Sequence, residues 1–382
     1  MTKVYVIGAA MSMFGPYPEV EVHDLGQEAA WKAIKSSGVD PRKLEVCFAG
    51  HAYQGPCFGQ KILVKLGLTG MPIFNVENAC ASGSSAILGV YSMIQAGRAD
   101  LGIAIGGEKL TTPSGGFLPI VTDDLDSSNG RVMPAAFAMI ARRHMEKYGT
   151  TAEQVAKVAV KNRKNVCLNL NVSEKYRTKV TLEEVLHSPV IADPLTRLSC
   201  CPVSDGAAAV VLASGKVARQ YTNGPVEIVA SVLNSGKRTK YGLIDYESEI
   251  SIRAAKEAYE RGGIGPEDID VCELHDPFTI AEIVHYEDLG FCKPGEGGRY
   301  IDEGMSEIHG KGVAVSPSGG LLGRGHPLGA TGIAQVTELF WQIRGEAGER
   351  QVPNAKVGLA HVVGGGVTNL ESGACSVHIL KM

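Results

Sequence analysis

The chain has 382 residues, of which 44% are apolar and 20% charged, and its formal net charge is −4. This is the composition of a soluble globular protein, and the length suits one large or two medium domains. The charge predicts no general basic surface for nucleic acid, and no apolar run reaches the roughly 18 residues that a membrane helix requires.

The first predicted element is a strand at Val4 to Ile7, which leads into Gly8. Because this apolar run is so short, it favours a strand over a secretory signal. The nine cysteines form no Cys-x-x-Cys pair, which argues against a zinc knuckle. We therefore expect a reducing, cytoplasmic compartment.

A repeat relates the two parts of the chain. Residues 30–47 match residues 255–272, with Pro41 aligned to Pro266. Each copy predicts a helix, a glycine stop, an Asp/Pro turn and a strand. The unit is far longer than a solenoid repeat, so it indicates duplicated α/β halves at 1–220 and 224–382. Alternating strands and helices favour mainly parallel sheets covered by helices.

Cys80 lies between a predicted strand around Phe74 and a predicted helix from Ala86 to Ala96. The thiol is thus expected at the first turn of the helix, where free N–H groups favour negative charge. Such a position can lower a cysteine pKa from roughly 8.5 to between about 3.5 and 7.5. Small residues that follow, Ser82 to Ser85, let a substrate come close. Cys80 is therefore the candidate nucleophile.

Between Leu110 and about Leu198 the alternating pattern breaks, and we predict a loop insertion in the first half. Residues 111–117 and 123–130 are loop-like, whereas Lys157 to Lys164 is the basic end of a helix. The positive side chains of this helix end could bind an anionic cofactor or simply lie on a solvated helix face. The insertion is expected to supply pocket walls. Beyond it, Cys200 and Cys201 precede a buried strand and are predicted to be structural.

Two histidines stand out in the second half. His326 lies in a glycine-rich loop that opens a helix at 333–343, the counterpart of the helix start at Cys80. Pseudo-symmetry therefore places His326 opposite Cys80, where a general base can take the thiol proton. His275 follows a buried strand, at the edge where α/β folds place chemistry. Asp276 either orients His275 or caps the next helix.

A third histidine, His361, precedes a run of three glycines whose N–H groups suit an oxyanion. It is the weaker candidate, either an acid/base or a residue that fills space. The three histidines lack the spacing of metal ligands, so we predict no metal site. A cysteine, two histidines and backbone N–H groups suit acyl transfer through a thioester.

Four motifs together resemble the thiolase superfamily: Cys80-Ala-Ser-Gly, His275-Asp-Pro-Phe, Gly325-His-Pro-Leu-Gly-Ala-Thr-Gly332 and Gly364-Gly-Gly366. The resemblance spans the whole chain and is strongest to the sterol-carrier-protein-type and archaeal acetoacetyl-CoA thiolases. It implies a five-layer αβαβα fold built from two duplicated halves and a homodimer or homotetramer. It also implies coenzyme A thioesters as substrates, with no permanently bound cofactor.

By this resemblance, Cys80 is the acylated nucleophile and His326 activates it. His275 and His326 line an oxyanion hole for the thioester oxygen, and the N–H groups of Cys80 and Gly364 form a second hole for the acyl-enzyme. Thiolases use a second cysteine as acid/base at the α-carbon. Its two usual positions carry Val362 and Pro277 here. Either another group, such as His275, His361 or a bound water, handles that proton, or the reaction does not need its removal.

The predicted function is a thiolase-type acyl-CoA C-acyltransferase that cleaves or forms a 3-ketoacyl-CoA through acyl-Cys80. Acetoacetyl-CoA and longer or aromatic 3-ketoacyl-CoA thioesters, such as benzoylsuccinyl-CoA, are the candidate substrates. The catalytic set also resembles that of decarboxylating ketoacyl synthases, so a Cys-His-His acyltransferase or decarboxylative condensing enzyme is the alternative. A catalytically silent scaffold subunit of a thiolase complex is a third hypothesis. Some relatives of this type work with a small zinc-containing OB-fold subunit, which makes such a partner a further hypothesis.

Overall fold

Strands and helices alternate along most of the chain, and the computed structural model describes residues 2–112, 118–119, 122–222, 224–238 and 249–382. Most of the loop expected at 111–117 lies outside these described residues. The strands are β1 (Val4–Met11), β2 (Val46–Gly50), β3 (Ile73–Val76), β4 (Leu101–Glu108), β5 (Val190–Ala192), β6 (Leu195–Thr196), β7 (Gly206–Ser214), β8 (Val226–Asn234), β9 (Val271–Glu273), β10 (Ala314–Val315), β11 (Val357–Gly364) and β12 (Ala374–Lys381). The helices are α1 (Val22–Ser37), α2 (Phe58–Val64), α3 (Ser82–Gln95), α4 (Leu125–Ser128), α5 (Met133–Tyr148), α6 (Ala152–Val166), α7 (Leu182–His187), α8 (Ala218–Tyr221), α9 (Glu249–Gly262), α10 (Thr279–Asp288), α11 (Gly297–Asp302), α12 (Gly320–Arg324) and α13 (Leu328–Arg344). None of the helices in these ranges is both long and apolar enough to cross a bilayer.

The two halves of the sheet repeat one strand order. The first half runs β3-β2-β4-β7-β1 and the second runs β10-β9-β11-β12-β8. Antiparallel pairing of β1 with β8, at Tyr5–Glu227 and Val6–Val226, joins the halves into one ladder. The repeated strand order is that of two duplicated α/β halves, and the predicted bounds at 1–220 and 224–382 stay a prediction.

The prediction of mainly parallel sheets is wrong, because each half is mixed. β2 pairs parallel with β3 and β4, and β9 pairs parallel with β10 and β11. The other two strands of each half, β7 with β1 and β12 with β8, pair antiparallel with their neighbours. The short connection from β11 to β12 carries no crossover helix, so the chain can only return antiparallel.

Helices and sheets are layered around three apolar cores. α1 and α2 pack on the outer face of the first half-sheet, where residues such as Ile7 and Val211 are buried. The helices α3 and α13 lie between the half-sheets and fill the central core with residues such as Ile87 and Ile333. α9 and α10 cover the outer face of the second half-sheet. Because α13 is enclosed from both sides, nearly all of its residues are buried.

The starts of α3 and α13 meet, as the pseudo-symmetry predicted. A Cβ added at Gly83 would lie 2.5 Å from the carbonyl oxygen of Gly329, and one added at Gly332 would collide with the Ser84 side chain. Both positions therefore need glycine for the backbones to approach this closely. This contact brings the segment of Cys80 next to the segment of His326.

The insertion is not a simple loop, since it contains α4 to α7 and the hairpin of β5 and β6. Its helix α6 packs on α10, α11 and α12 of the second half. The lysines of α6 each pair with a carboxylate of that half: Lys157 with Asp302 at 2.6 Å, Lys161 with Glu282 at 2.6 Å and Lys164 with Glu307 at 2.9 Å. Lys161 is buried in its ion pair and ties the insertion to the second half, whereas Lys157 and Lys164 lie on a solvent-exposed face, as one of the two sequence-based interpretations expected.

We expect Lys161→Met to lower the free energy of unfolding by about 3–5 kcal/mol, because it leaves the buried Glu282 carboxylate without its cation. Lys157→Met is the matched control, since that pair is solvent-exposed and such pairs contribute about 0–1 kcal/mol. Urea denaturation of both variants at equal protein concentration measures the difference. Equal destabilisation by the two substitutions would contradict this account of the insertion.

Candidate active site

Cys80 lies on the connection between β3 and α3, in a single 3-10 turn at Ala79–Ala81. Ala79 has a left-handed φ of 48°, and its N–H donates to the Glu77 carboxylate at 2.5 Å. A non-glycine residue adopts this conformation only at a cost, which is typical of tight functional turns. The thiol thus sits just before α3 rather than within the first turn of the helix.

Two serines after Cys80 fix the shape of this turn. The Asn78 N–H donates to Ser82 Oγ at 2.9 Å, and Ser82 Oγ donates to the Ala79 carbonyl at 2.7 Å. The Asn78 side chain donates to Ser85 Oγ at 2.8 Å, and Ser85 Oγ donates to the Ala81 carbonyl at 2.9 Å. Both serines are buried, so they stabilise the turn and do not line the open path for a substrate that the sequence analysis expected.

The structure brings the three main candidates together. The Cys80 sulfur and one ring nitrogen each of His275 and His326 all lie within 4.8 Å of one another. The two imidazoles face each other, with 3.4 Å between their Nε2 atoms. The three residues come from the turn before α3, the segment after β9 and the segment before α13. A thiol and two imidazoles therefore share one largely buried site.

Thr331 determines which nitrogen of His326 carries the proton. The Thr331 hydroxyl lies 2.7 Å from His326 Nδ1 and donates to the Pro327 carbonyl at 3.0 Å. Because its proton is used there, the hydroxyl oxygen accepts from Nδ1–H. This assignment leaves the lone pair of His326 Nε2 directed at Cys80 and His275.

Both imidazoles are neutral at physiological pH. Burial, followed by the nearby Arg324 charge, lowers the pKa of His326 to about 3. Burial, followed by the neighbouring His326, moves the pKa of His275 well below its usual value. A neutral imidazole is the form that accepts a proton, so His326 is in the state that a general base requires.

The expected lowering of the Cys80 pKa is wrong for the free protein. Burial of the thiol raises its pKa to about 12, although backbone N–H groups of Gly365 and Cys80 itself act in the opposite direction. Desolvation disfavours the charged form more strongly here than these donors favour it. Cys80 is therefore a thiol at rest, and its proton must leave as the sulfur attacks.

Because the thiol is protonated, we expect no thiolate absorbance near 240 nm from Cys80 between about pH 6 and pH 9. The measurement is the difference spectrum between the wild-type protein and Cys80→Ser across this range. The same difference for Cys57→Ser, an exposed cysteine, serves as the control. A Cys80-dependent step with a midpoint near neutral pH would show a preformed thiolate and contradict this assignment.

Two glycines at the end of β11 adjoin the Cys80 turn. Gly365, with a left-handed φ of 71°, donates its N–H to Cys80. At Gly364, a Cβ would lie 2.8 Å from the Ala81 nitrogen and collide with the Asn78 carbonyl, so glycine lets β11 approach this turn. The expected role of the Gly364 N–H toward the oxygen of an acyl-enzyme stays a prediction.

His361 does not join the cluster, which contradicts its proposed role as acid/base. Side chains alternate along β11, and Val362 packs against Cys80. The His361 ring therefore points to the opposite face of the sheet. There its Nε2 lies 2.9 Å from Ser251 Oγ, and its ring centroid lies 4.5 Å from that of His285.

Asp276 was expected either to orient His275 or to cap the next helix, and its hydrogen bonds show neither role. Its carboxylate accepts from the Leu321 N–H at 2.9 Å and from the Asn162 side chain at 2.8 Å. It therefore ties α12 and the insertion helix α6 to the segment that carries His275. Asp276 thus supports the position of this segment as a whole.

Glu108 is a site residue that the sequence analysis missed. This buried carboxylate, at the end of β4, accepts from the N–H groups of Ala52 at 2.8 Å, Tyr53 at 3.0 Å and Gly329 at 3.1 Å. Burial raises its pKa although these donors lower it. Glu108 links the loop after β2 to the start of α13, and so helps to hold the His326 segment beside Cys80. The one signal in the sequence is a single acidic residue that ends an otherwise apolar strand.

The sequence argument against a metal relied on how far apart the histidines lie along the chain. Folding nevertheless brings His275 and His326 together with Cys80. Cys80, His275 and His326 offer ligand atoms close enough to hold one ion. The same atoms are those that nucleophilic catalysis needs, and a metal would occupy the lone pair of His326 that is available to the thiol proton.

A cavity of about 750 Å³ lies elsewhere, between α6 and the loop at 303–311, and Cys80, His275 and His326 do not line it.

Two sequence models of one family match this chain. The model described as "Thiolase, N-terminal domain" matches residues 4–216, and "Thiolase C-terminal domain-like" matches residues 244–375. A solved structure described as "Ltp2-ChsH2(DUF35) aldolase" superposes with a TM-score of 0.85 at 23% identity, covering 99% of this chain and 97% of that chain. Together with the layers described above, this confirms the thiolase-like α/β fold.

Curated relatives are similar over most or all of the chain. "Acetyl-CoA acetyltransferase" of Methanothermobacter thermautotrophicus is 41% identical and covers 100% of both chains. "Sterol carrier protein 2" of Bos taurus is 39% identical over 100% of this chain and 72% of its own length. "Benzoylsuccinyl-CoA thiolase subunit BbsB" of Thauera aromatica is 38% identical over 95% of each. These are the subgroups that the four motifs indicated.

Proposed function

Since the chain belongs to the thiolase family of acyltransferases, we propose that it cleaves or forms a 3-ketoacyl-CoA through an acyl-Cys80 intermediate. The observation that carries the proposal is the convergence of the Cys80 sulfur with His275 and His326 within 4.8 Å. In the cleavage direction, Cys80 attacks the 3-keto carbon while its proton passes to His326 Nε2. The bond between the second and third carbons then breaks, and coenzyme A later takes the acyl group from Cys80.

We propose that developing negative charge is stabilised at two places. His275 Nε2–H and His326 Nε2–H, once His326 has taken the thiol proton, hold the thioester oxygen. The N–H group of Cys80 and that of Gly364 or its neighbour Gly365 hold the oxygen of the acyl-enzyme. Preorganised donors of this kind contribute on the order of 10²–10³-fold in rate each. The support is that both imidazoles face the sulfur and that the Gly365 N–H already donates to it.

The proposed substrates are 3-ketoacyl-CoA thioesters, from acetoacetyl-CoA to longer or aromatic ones such as benzoylsuccinyl-CoA. One relative is called an acetyl-CoA acetyltransferase and another a benzoylsuccinyl-CoA thiolase subunit, which supports testing both ends of this range. The experiment offers each thioester with free coenzyme A and follows the appearance of the shortened acyl-CoA. If none of these thioesters is cleaved, by the protein alone or with a partner subunit, the proposed function fails.

A decarboxylative condensing enzyme is the second candidate, and one observation favours it. The two positions at which thiolases carry their second cysteine are Pro277 and Val362 here, and Val362 contributes only apolar packing against Cys80. Decarboxylation generates a carbanion without an α-base. Condensation with malonyl-CoA but never with acetyl-CoA would favour this candidate. A scaffold subunit without activity predicts no acyl adduct on Cys80 at all.

We further propose a homodimer or homotetramer in a reducing cytoplasm, with a small zinc-containing OB-fold protein as a candidate partner. The support for a partner is that one relative is named as a subunit and that the superposed aldolase structure, by its name, pairs Ltp2 with ChsH2(DUF35). The support for a reducing compartment is that all nine cysteines are free. Light scattering of the purified chain measures its oligomeric state. The same measurement after co-expression with a DUF35 protein shows whether the two proteins form a complex.

A further inference from the structure

The segment that carries Cys201 lies directly beside the segment that carries Pro277. The Cys201 N–H donates to the Pro277 carbonyl at 2.9 Å, and Cys200 forms an antiparallel bridge with Phe278. Pro277 is one of the two positions at which the family's second cysteine would lie. Pro277 itself carries no thiol, but the neighbouring segment supplies one from Cys201.

The direction of the two cysteines follows from this pairing. Residues opposite each other in an antiparallel pair place their side chains on the same face. Phe278 belongs to the outer core and Cys200 packs against it, with Cys200 Sγ 3.3 Å from the Thr196 carbonyl. Cys201 and Pro277 therefore point to the opposite face, away from that core.

Two observations show that this opposite face is the side of the catalytic cluster. The segment after Cys201 lies against the residue before His326, since a Cβ on Gly325 would lie 3.0 Å from the Pro202 carbonyl oxygen. In addition, the nearby Cys80 thiol contributes to raising the pKa of Cys201, after burial, Cys200 and Asp276. As a residue, Cys201 has intermediate exposure, between the exposed Cys57 and the buried Cys272.

We propose that Cys201 is the acid/base that exchanges a proton with the α-carbon of the substrate, an inference that rests on the proposed function. In cleavage, Cys80 takes the acyl group, the bond between the second and third carbons breaks, and Cys201 S–H gives its proton to the second carbon. In condensation, the coenzyme A that leaves as Cys80 is acylated takes the proton of Cys201. The resulting Cys201 thiolate removes the proton of the second carbon, and the carbanion attacks acyl-Cys80 and releases its sulfur, which regains its proton from His326. No oxidant, metal or further reactant is needed in either direction.

Tyr53 is the competing group. It follows β2, its backbone N–H donates to Glu108, and burial together with the nearby Cys80 raises the pKa of its phenol. Tyr53 is an exposed residue, with 44% of its surface accessible, whereas proton transfer to carbon favours a site closed to water. The geometry therefore favours Cys201, and Tyr53 becomes an alternative outcome of the test.

The test separates acylation from proton transfer. Wild-type protein and the variants Cys201→Ala, Cys201→Ser, Cys200→Ala and Tyr53→Phe are incubated with acetyl-CoA in D₂O. Intact mass gives acetylation of the enzyme, and the mass of recovered acetyl-CoA gives deuterium at its α-carbon. Cys200→Ala is the matched control, because this neighbouring thiol faces the outer core.

We expect both Cys201 variants to lose on the order of 10²–10⁴-fold in α-proton exchange while Cys80 is still acetylated. Serine keeps the size of the side chain but not its acidity, so a purely structural role would spare Cys201→Ser. Undiminished exchange in the Cys201 variants, loss of exchange in Tyr53→Phe alone, or acetylation of the wild type without any exchange would overturn the inference. Absence of acetylation in the wild type would overturn the proposed function itself.

Discussion

Replacing Cys80 by alanine is expected to lower the rate of 3-ketoacyl-CoA cleavage by on the order of 10⁴-fold or more, because it removes the sulfur that carries the covalent intermediate. Val362, Ala81 and Ala374 surround the sulfur with apolar contacts, so the smaller side chain leaves the turn intact. The measurement is the steady-state rate together with trapping of a radiolabelled acyl-enzyme.

The control for Cys80→Ala is Cys57→Ala, because Cys57 is exposed and lies in the loop before α2. That variant should keep the wild-type rate within about threefold, as surface substitutions generally do. A labelled acyl-enzyme that persists in Cys80→Ala would remove Cys80 from the mechanism and leave the cluster without its nucleophile.

The second large effect is expected for His326→Ala, which should slow acylation of Cys80 by on the order of 10²–10⁴-fold. The thiol is protonated at rest, since burial raises its pKa to about 12, so attack requires an acceptor for the proton. We propose His326 Nε2 as that acceptor, because Thr331 holds the proton of the ring on Nδ1. Single-turnover kinetics with acetyl-CoA measure the acylation step alone.

His361→Asn is the matched control for this second experiment, because His361 is also a buried histidine of the second half but faces Ser251 and His285. Its acylation rate should stay within about threefold of the wild type. Normal acylation kinetics in His326→Ala would exclude it as the base. A collapse of acylation in His361→Asn alone would show that the outer face of β11 takes part in the chemistry.

Much of this architecture follows from the sequence because it is repeated within the chain. The helix, turn and strand at 30–47 and 255–272 indicated two equivalent halves, and the equivalent helix starts then indicated that Cys80 and His326 would meet. Folding places them together because glycines at 83 and 332 let α3 and α13 touch. Three cluster members could thus be named without coordinates.

The charge state of Cys80 could not be predicted, because it depends on burial. A position before a helix indicates donors for a thiolate, and Gly365 does supply one. The sequence does not reveal that the surrounding segments exclude water, and here desolvation outweighs the donors. The same burial, with the Arg324 charge, lowers the pKa of His326. Both the Cys80 thiol and the His326 imidazole are therefore neutral.

Other errors have a geometric cause. Alternation along β11 implies that His361 and Val362 face opposite sides, but it does not reveal which side faces Cys80. Glu108 was missed because its partners, Ala52 and Gly329, are distant in the chain. Cys201 was predicted to be structural, and its pairing with the distant Pro277, on which the proposed role rests, is not visible in the sequence. Such contacts depend on how the halves and the insertion pack.

The most direct test of the central claim is intact-mass spectrometry of the protein with 3-ketoacyl-CoA thioesters, with and without free coenzyme A. The proposed mechanism predicts an adduct on Cys80 with the mass of the shortened acyl group, which coenzyme A discharges as the corresponding acyl-CoA. An adduct that forms from simple acyl-CoA but never by cleavage of a 3-keto chain would contradict the thiolase mechanism. The complete absence of an adduct on Cys80 would contradict the acyl-enzyme itself.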